Sequence, residues 1–298
     1  MIRLENTSGS AVAAAIATER HHMGSSATGM VLTLLILADE ESQADATSAA
    51  VNAARQHPMR IVTLIPRPGK DTRLDADISV GGDDGPGEVA VLRLRGLLSE
   101  HANSVAVPLL LSDTPVVAFW PGTAPDIPAD DPIGRHAQRR ITDCAAAVDV
   151  VRELEIRKVG YRPGDTDLTW TRLTPWRSVL ASTLDQSPGV ISRAVISAEE
   201  LNASALLAQT WLKRRLKVPV ELEVTSGPGI TQVHLETSGG DVTVNRSDGV
   251  NAVLTRPGTP DSRVALARRD LSELLAEELR RLDPDEVYGS VISHVGDA

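Results

Sequence analysis

The chain contains 298 residues, of which 42% are hydrophobic, so it has enough material for two domains with buried cores. Its 40 acidic and 30 basic side chains give a net charge of −10, which argues against general binding to nucleic acids or anionic membranes, because phosphate groups attract clustered positive charge. The single cysteine, Cys144, excludes an internal disulfide and a zinc site built from several cysteines, and with no signal sequence expected it predicts a cytoplasmic protein.

The first part of the chain alternates between helical and buried-strand patterns. Residues 7–20 and 39–57 have the composition and capping residues of helices, whereas the aliphatic runs at 30–38 and 60–66 are typical of strands buried on both faces. A strand, a helix and a strand at this spacing predict a βαβ unit with parallel strands. The run at 30–38 is also too short to span a bilayer.

A hairpin is predicted next, because residues alternate at 75–80 and 88–96 around the glycine-rich segment GGDDGPG. This segment lacks the spacing of phosphate-binding loops, and its two aspartates would repel a phosphate. A plain turn is one interpretation. A partner-contacting loop and a cation site formed by Asp83, Asp84 and Glu88 are the alternatives. A helix over 99–113 and a short buried strand over 114–121 follow.

Residues 164–177, GDTDLTWTRLTPWR, place two of the four tryptophans in one short charged segment. Thr174 and Pro175 predict a helix that starts between Trp170 and Trp176. Core packing of both rings is one interpretation, and an interface is the other, because tryptophan and arginine are enriched at binding hot spots. The charged candidates for this interface are Asp165, Asp167, Arg172 and Arg177, with Arg139 and Arg140 from the preceding RRITD segment.

The arginines have alternative interpretations as well. Arg172 and Arg177 could pair with the neighbouring aspartates or lie on an aromatic face. Arg139 and Arg140 could recognise phosphate or carboxylate groups, or form an ion-paired face. Catalysis is the weakest interpretation, since no nucleophile motif accompanies these residues and no two histidines have metal-ligand spacing. We therefore expect no catalytic residue, no cofactor and no metal site.

The second half predicts a strand at 191–197, a helix at 198–216 and a C-terminal helix that Pro284 interrupts. Four alternating segments between the helices predict an antiparallel meander, at 218–226, 230–237, 240–247 and 251–258. The predicted fold class is α/β of mixed α+β type. An N-terminal domain, 1–187, holds the βαβ unit in a mixed sheet, and a C-terminal domain, 188–298, combines an antiparallel sheet with helices.

Several long segments resemble one family in the same order along the chain. They are MVLTLLILA, HPMRIVTLIP, LDADISVGGDDGPGEVAVLRLRG, SVAVPLLLSDTPVVAFWPG, RRITD, GDTDLTWTRLTPWR and LLAEELRRLDPDEVY. On these segments the chain resembles the glucose-6-phosphate dehydrogenase assembly proteins, the OpcA family, of actinobacteria and cyanobacteria, and the actinobacterial branch fits best. The resemblance extends from about residue 4 to residue 290.

The resemblance implies a non-enzymatic partner of glucose-6-phosphate dehydrogenase that promotes its active oligomer and acts as an allosteric activator. The physiological effect of this activation would be to support the oxidative pentose phosphate pathway and the supply of NADPH. The thiol redox control associated with cyanobacterial relatives does not carry over, because Cys144 is alone. Two alternatives stay open: a sugar-phosphate or nucleotide-binding sensor or enzyme with an arginine-lined crevice, and a scaffold without effect on activity. Self-association is also left open.

Overall fold

The computed structural model describes residues 1–22, 29–81, 87–184 and 189–297. The chain forms two compact units, each built from separate segments. The first unit comprises Met1–Ala146, Arg162–Thr166 and Asp270–Asp285, and the second comprises Ala147–Tyr161, Asp167–Arg269 and Glu286–Ala298. The domain boundary expected after residue 187 lies outside the described residues and stays a prediction.

The strands and helices alternate along the chain in both units. The strands are β1 (Ile2–Leu4), β2 (Leu32–Leu37), β3 (Met59–Arg67), β4 (Arg73–Val80), β5 (Glu88–Arg95), β6 (Val116–Phe119), β7 (Arg139–Thr142), β8 (Asp165–Asp167), β9 (Ile191–Ala198), β10 (Val220–Val224), β11 (Ile230–Thr237), β12 (Val242–Asn245), β13 (Asn251–Arg256) and β14 (Thr259–Ala265). The helices are α1 (Gly9–His22), α2 (Gln43–Ala53), α3 (Ala102–Ala106), α4 (Val150–Gly160), α5 (Leu168–Thr171), α6 (Thr174–Leu184), α7 (Ala203–Leu216), α8 (Leu271–Glu278) and α9 (Glu286–Ile292). The predicted mixed α/β fold class is confirmed.

The sheet of the first unit has eight strands in the order β1-β4-β5-β3-β2-β6-β7-β8. Strands β5, β3, β2, β6 and β7 run parallel, which confirms the predicted βαβ unit β2-α2-β3. Strands β4 and β5 form the predicted antiparallel hairpin, and β1 extends it at the edge. Asp83 and Asp84 lie outside the described residues. Glu88, the third member of the predicted cation site, is buried and ion-paired with Arg60.

Helices cover both faces of this sheet, which explains why its central strands are apolar throughout. On one face, Val12 and Ile16 of α1 belong to the same core cluster as Leu35 and Val62. On the other face, α2 lies against β3, where the Thr47 and Thr63 hydroxyls are 2.8 Å apart. Helix α2 also packs on α8.

The sheet of the second unit has six strands in the order β10-β9-β11-β12-β13-β14. Strands β11, β12 and β13 form an antiparallel meander as expected, and β14 extends it by antiparallel pairing with β13. The orientation expected for β10 is wrong: it pairs parallel to β9, because α7 lies between the two strands and returns the chain to the same end of the sheet. Strand β14 was not predicted, since its polar sequence reflects an exposed edge.

The helix boundaries follow local capping signals where these exist. The N-cap Asn202 starts α7, and Asp149 starts α4, which sequence reasoning missed. The helix expected over 99–113 is wrong, because only α3 is α-helical there and short 3-10 turns flank it. Pro284 separates α8 from α9 as predicted. Among the described helices, none has the length and apolar composition required to cross a membrane.

Helix α8 begins with the capping box that the sequence predicts. The Asp270 carboxylate accepts a hydrogen bond from the Glu273 N–H (2.9 Å), and the Glu273 carboxylate accepts one from the Asp270 N–H (3.1 Å). Hydrogen bonds from the Ser272 hydroxyl and the Glu273 N–H hold the pKa of Asp270 below its ordinary value.

Replacement of this cap, Asp270→Ala, should lower the free energy of unfolding by about 1 kcal/mol at neutral pH. Because the folded-state pKa of Asp270 is depressed, the contribution is present above the unfolded-state pKa and is lost as pH falls through the folded value. Urea unfolding should therefore show a difference that shrinks below about pH 4. Asp261→Ala, at an exposed position on β14, is the control. Equal losses in the two variants would contradict the capping role.

Candidate functional site

The eight residues predicted as interface candidates fall into two groups, one in each unit. Arg139, Arg140 and Asp165 belong to the first unit, and the other five belong to the second. Six of the eight are buried, whereas Arg172 and Arg177 are half-buried. A direct role of these residues in partner binding stays a prediction, and the contacts below describe what each one does within its own unit.

Arg140 holds the segment that precedes β8. Its Nε donates to the Asp165 carboxylate, Nη1 donates to the Ala137 carbonyl (2.8 Å) and Nη2 donates to the Pro163 carbonyl (2.6 Å). The chain comes so close at Gly164 that a Cβ there would lie 2.5 Å from the Gln138 carbonyl oxygen. All three guanidinium nitrogens therefore act inside the first unit.

Arg139, the preceding residue on β7, is paired with α8. Its Nε and Nη2 both donate to the Glu278 carboxylate, with an Nε distance of 2.9 Å, and Nη1 donates to the Asp283 carbonyl (2.9 Å). Both side chains are about 95% buried. Each buried charge of such a pair is compensated only while the opposite charge of its partner is present.

Trp170 is an anchor of the second unit. Its side chain is 1% exposed, its ring centroid lies 6.0 Å from that of Tyr288, and Tyr288 meets Tyr161 edge to face. The Arg177 guanidinium lies 3.8 Å from the Trp170 ring centroid, as expected for a cation–π contact. Asp167 caps α5 by accepting the Thr169 N–H (2.9 Å). The part of the GDTDLTWTRLTPWR segment from Asp167 to Trp170 is therefore packed in the core of the second unit.

Trp176 faces a different part of the same unit, a pocket that we name the arginine pocket. Its lining residues are Arg172, Leu173, Pro175, Trp176, Asn202, Ser204, Gly229, Ile230, Arg246, Leu266, Ala267, Arg268 and Arg269. Its cavity volume is about 80 Å³. The Arg246 guanidinium lies 5.0 Å from the Trp176 ring centroid, so the ring forms part of its support.

Arg246 is buried at the base of β12, with 5% of its surface exposed. Its Nη1 donates to the Leu266 carbonyl (2.9 Å) and its Nη2 to the Ile230 carbonyl (2.8 Å). Burial first, and then the positive charge of Arg268, lowers the pKa of Arg246 from its ordinary value. Arg269 is held by a hydrogen bond from its Nη2 to the Thr171 carbonyl.

Sequence reasoning did not single out Arg246 and Arg268, which line the arginine pocket. Arg246 follows an ordinary alternating strand and Arg268 precedes a helix, so neither position carries a local motif. The fold brings them to Arg172, more than 70 residues earlier in the chain. Within the described ranges, no group of three or more His, Cys, Asp or Glu side chains is placed to hold a metal ion.

Two family models match the chain in consecutive segments. Residues 50–158 match the model described as the N-terminal domain of the glucose-6-phosphate dehydrogenase subunit, an OpcA assembly domain. Residues 163–292 match the model described as the C-terminal domain of the same glucose-6-phosphate dehydrogenase subunit. No significant match was found among curated proteins.

Solved structures with a similar chain path are distant in sequence. A 3-ketoreductase from Actinomadura kijaniata, KijD10, solved with NADP and TDP-benzene, is 11% identical, with 89% of this chain and 94% of that chain covered and a TM-score of 0.49. An oxidoreductase domain protein from Kribbella flavida is 8% identical, with 91% of each chain covered and a TM-score of 0.46. At these values the likeness carries no conclusion about activity.

The buried Arg139–Glu278 pair should be strongly coupled in stability. Arg139→Ala and Glu278→Ala should each lower the free energy of unfolding by about 3–5 kcal/mol, because each leaves one buried charge without its partner. The double variant Arg139→Met with Glu278→Leu should recover much of this loss in a urea-unfolding cycle. Removing the exposed Arg193–Glu221 pair is the control and should cost much less. A double variant no more stable than either single one would contradict the coupling.

Proposed function

The chain belongs to the OpcA family of glucose-6-phosphate dehydrogenase assembly proteins, and we propose that it is a non-enzymatic partner that binds this dehydrogenase and promotes its active oligomer. The observation that carries the proposal is the match of both family models, in chain order, over residues 50–158 and 163–292. The physiological output would be support of the oxidative pentose phosphate pathway and of NADPH supply in the cytoplasm.

The physical basis of such activation is differential binding. A partner that binds the active oligomer more tightly than the inactive form shifts the equilibrium toward the active form by that difference in binding free energy. A hundredfold preference would correspond to about 2.7 kcal/mol. The protein then needs a stable surface and no reactive group, which agrees with the use of Arg139 and Arg140 within the first unit.

The proposed contact surface is the groove between α7 and α9, which Trp211, Arg214, Arg215 and Ser290 help to line. Trp120, Trp170 and Trp176 are buried, whereas Trp211 is half-buried, and Arg214 and Arg215 beside it are exposed. The Arg214 guanidinium donates to the Ser290 hydroxyl (2.9 Å), which ties the two helices together. Accessible tryptophan and arginine side chains are the types that dominate binding energy at interfaces.

The alternative contact surface is the segment that the sequence favours, with Arg172 and Arg177 as its half-buried members. Arg177 is engaged by the Trp170 ring and by the Thr174 hydroxyl (3.0 Å), and Arg172 lines the arginine pocket. The buried members of this segment would support a contact indirectly, through the position of α6. Single substitutions in each surface can show which of the two contacts the dehydrogenase.

Addition of the purified chain to the cognate dehydrogenase should raise the rate of NADP reduction and shift the dehydrogenase toward its larger oligomer. The chain alone should show no turnover of glucose 6-phosphate. A coupled titration, followed by absorbance and by mass photometry, measures both effects. An unchanged rate together with an unchanged mass distribution at saturating chain would exclude the proposal, and co-elution without a change in rate would indicate a scaffold.

Trp211→Ala should weaken binding to the dehydrogenase at least tenfold while the melting temperature stays near that of the unchanged chain, because its ring is half-buried. Trp170→Ala is the contrasting variant and should lower the free energy of unfolding by about 3–5 kcal/mol, since its ring is 1% exposed. Binding is measured by titration calorimetry and stability by thermal unfolding. Loss of binding in Arg172→Ala, with Trp211→Ala unaffected, would place the contact at the segment 164–177.

A further inference from the structure

We propose that the arginine pocket of the second unit is a binding site for a small phosphate-bearing anion. This proposal is independent of the dehydrogenase, because it concerns only contacts within the second unit and can be tested on the chain alone. Its basis is the combination of four guanidinium groups around one cavity, one of them buried, and an apolar wall.

The charge of the lining is entirely positive. Arg172, Arg246, Arg268 and Arg269 line the pocket, and none of the described residues in its lining is an aspartate or a glutamate. Guanidinium groups around a shared cavity repel one another, and an anion bound among them would reduce this repulsion. Arginine is also the side chain whose planar set of donors best matches the oxygens of a phosphate.

Arg246 supplies a buried positive charge beside the pocket. Two of its guanidinium nitrogens donate to carbonyl oxygens, but Nε is buried and has no hydrogen-bond partner among the described residues. A buried donor that is left unpaired destabilises the fold, so such groups normally have an acceptor. Because Nε is shielded from solvent, Arg246 would act on an anion in the pocket through its positive charge.

The electrostatics of Arg246 agree with an anion in the pocket. Burial first and then the neighbouring Arg268 lower its pKa, and the charge of Asp248 offsets only part of this effect. A bound anion would have the opposite effect on both arginines, because an opposite charge nearby favours the charged form. A bound anion would thus stabilise the charged form of Arg246, and that charge would in turn strengthen anion binding.

Arg268 supplies an accessible donor at the rim. Its side chain is exposed, and within the part of the chain that the structure describes its guanidinium makes no hydrogen bond or ion pair. Arg269 beside it is anchored on the Thr171 carbonyl and so fixes the local backbone. Arg268 can therefore turn toward a ligand without the loss of a contact that holds the fold.

The N-terminus of α7 adds to the same preference for negative charge. Asn202, the N-cap residue, and Ser204 both line the pocket, and the helix continues for 14 residues. The partial positive charge at the start of a helix favours an anion nearby. This contribution is secondary to the arginines, which carry full charges.

The shape of the pocket favours a small molecule. Its cavity volume is about 80 Å³, so only a small group fits inside it, and Leu173, Pro175, Trp176 and Leu266 give it an apolar wall. A compact organic group could pack on this wall while its phosphate reaches the guanidinium groups. An acidic side chain from a partner protein would occupy the charged end only.

The test is a titration of the 298-residue chain with inorganic phosphate, pyrophosphate and glucose 6-phosphate, against potassium chloride at matched ionic strength. We expect a saturable rise in melting temperature with the phosphate compounds, because a ligand that binds the folded state stabilises it. A stronger rise with glucose 6-phosphate indicates a phosphate ester as ligand, and an equal rise indicates the phosphate group alone. No saturable rise with any of the three would overturn the proposal.

Arg268→Gln should raise the dissociation constant of the best of these compounds about tenfold, the effect of one lost charge-assisted hydrogen bond. Arg263→Gln, an exposed arginine on β14 outside the pocket, is the matched control and should leave it unchanged. Unfolding in chloride verifies that both variants are folded. Equal effects of the two variants would show non-specific attraction and overturn the site. If the unchanged chain binds none of the phosphate compounds but Arg268→Gln abolishes activation of the dehydrogenase, the phosphate proposal is overturned. The pocket would then bind an acidic side chain of the partner.

Discussion

Two adjacent arginines on β7 fix segments that lie far from it in the sequence. Arg139 pairs with Glu278, and Arg140 pairs with Asp165, so each buried guanidinium holds one of the two later segments that complete the first unit. Buried charges of this kind are tolerated only when their hydrogen bonds are complete. The donors of both side chains are therefore used within the first unit.

The second unit uses its aromatic rings in a comparable way. In a chain with 2% aromatic residues, Trp170 and Trp176 fill space that alanine and leucine cannot fill, and each has a guanidinium on one face. The two rings nevertheless serve different surroundings. Trp170 contacts Tyr288 in the core, whereas Trp176 supports Arg246 at the arginine pocket.

The arginines of the chain therefore divide by what their donors contact. Those of Arg139 and Arg140 are satisfied by carboxylates and carbonyls inside the first unit. Arg246 is held by two carbonyls but keeps one buried nitrogen unpaired, and Arg268 projects from the rim. Sequence alone gives these four residues the same charge and the same apparent capacity to bind phosphate. Burial and hydrogen bonding distinguish these residues, because they determine which donors are already used within the fold.

The sequence by itself determined the features that depend on short stretches of chain. The βαβ unit, the β4–β5 hairpin, the capping box of Asp270 and the break at Pro284 follow from periodicity, turn residues and caps within a few positions. The order of several long motifs likewise indicated the family. Only the tertiary structure decided the parallel pairing of β10, the burial of Trp170 and the meeting of Arg172, Arg246 and Arg268. Those features depend on contacts between residues far apart in the chain, whose free energy no local pattern records.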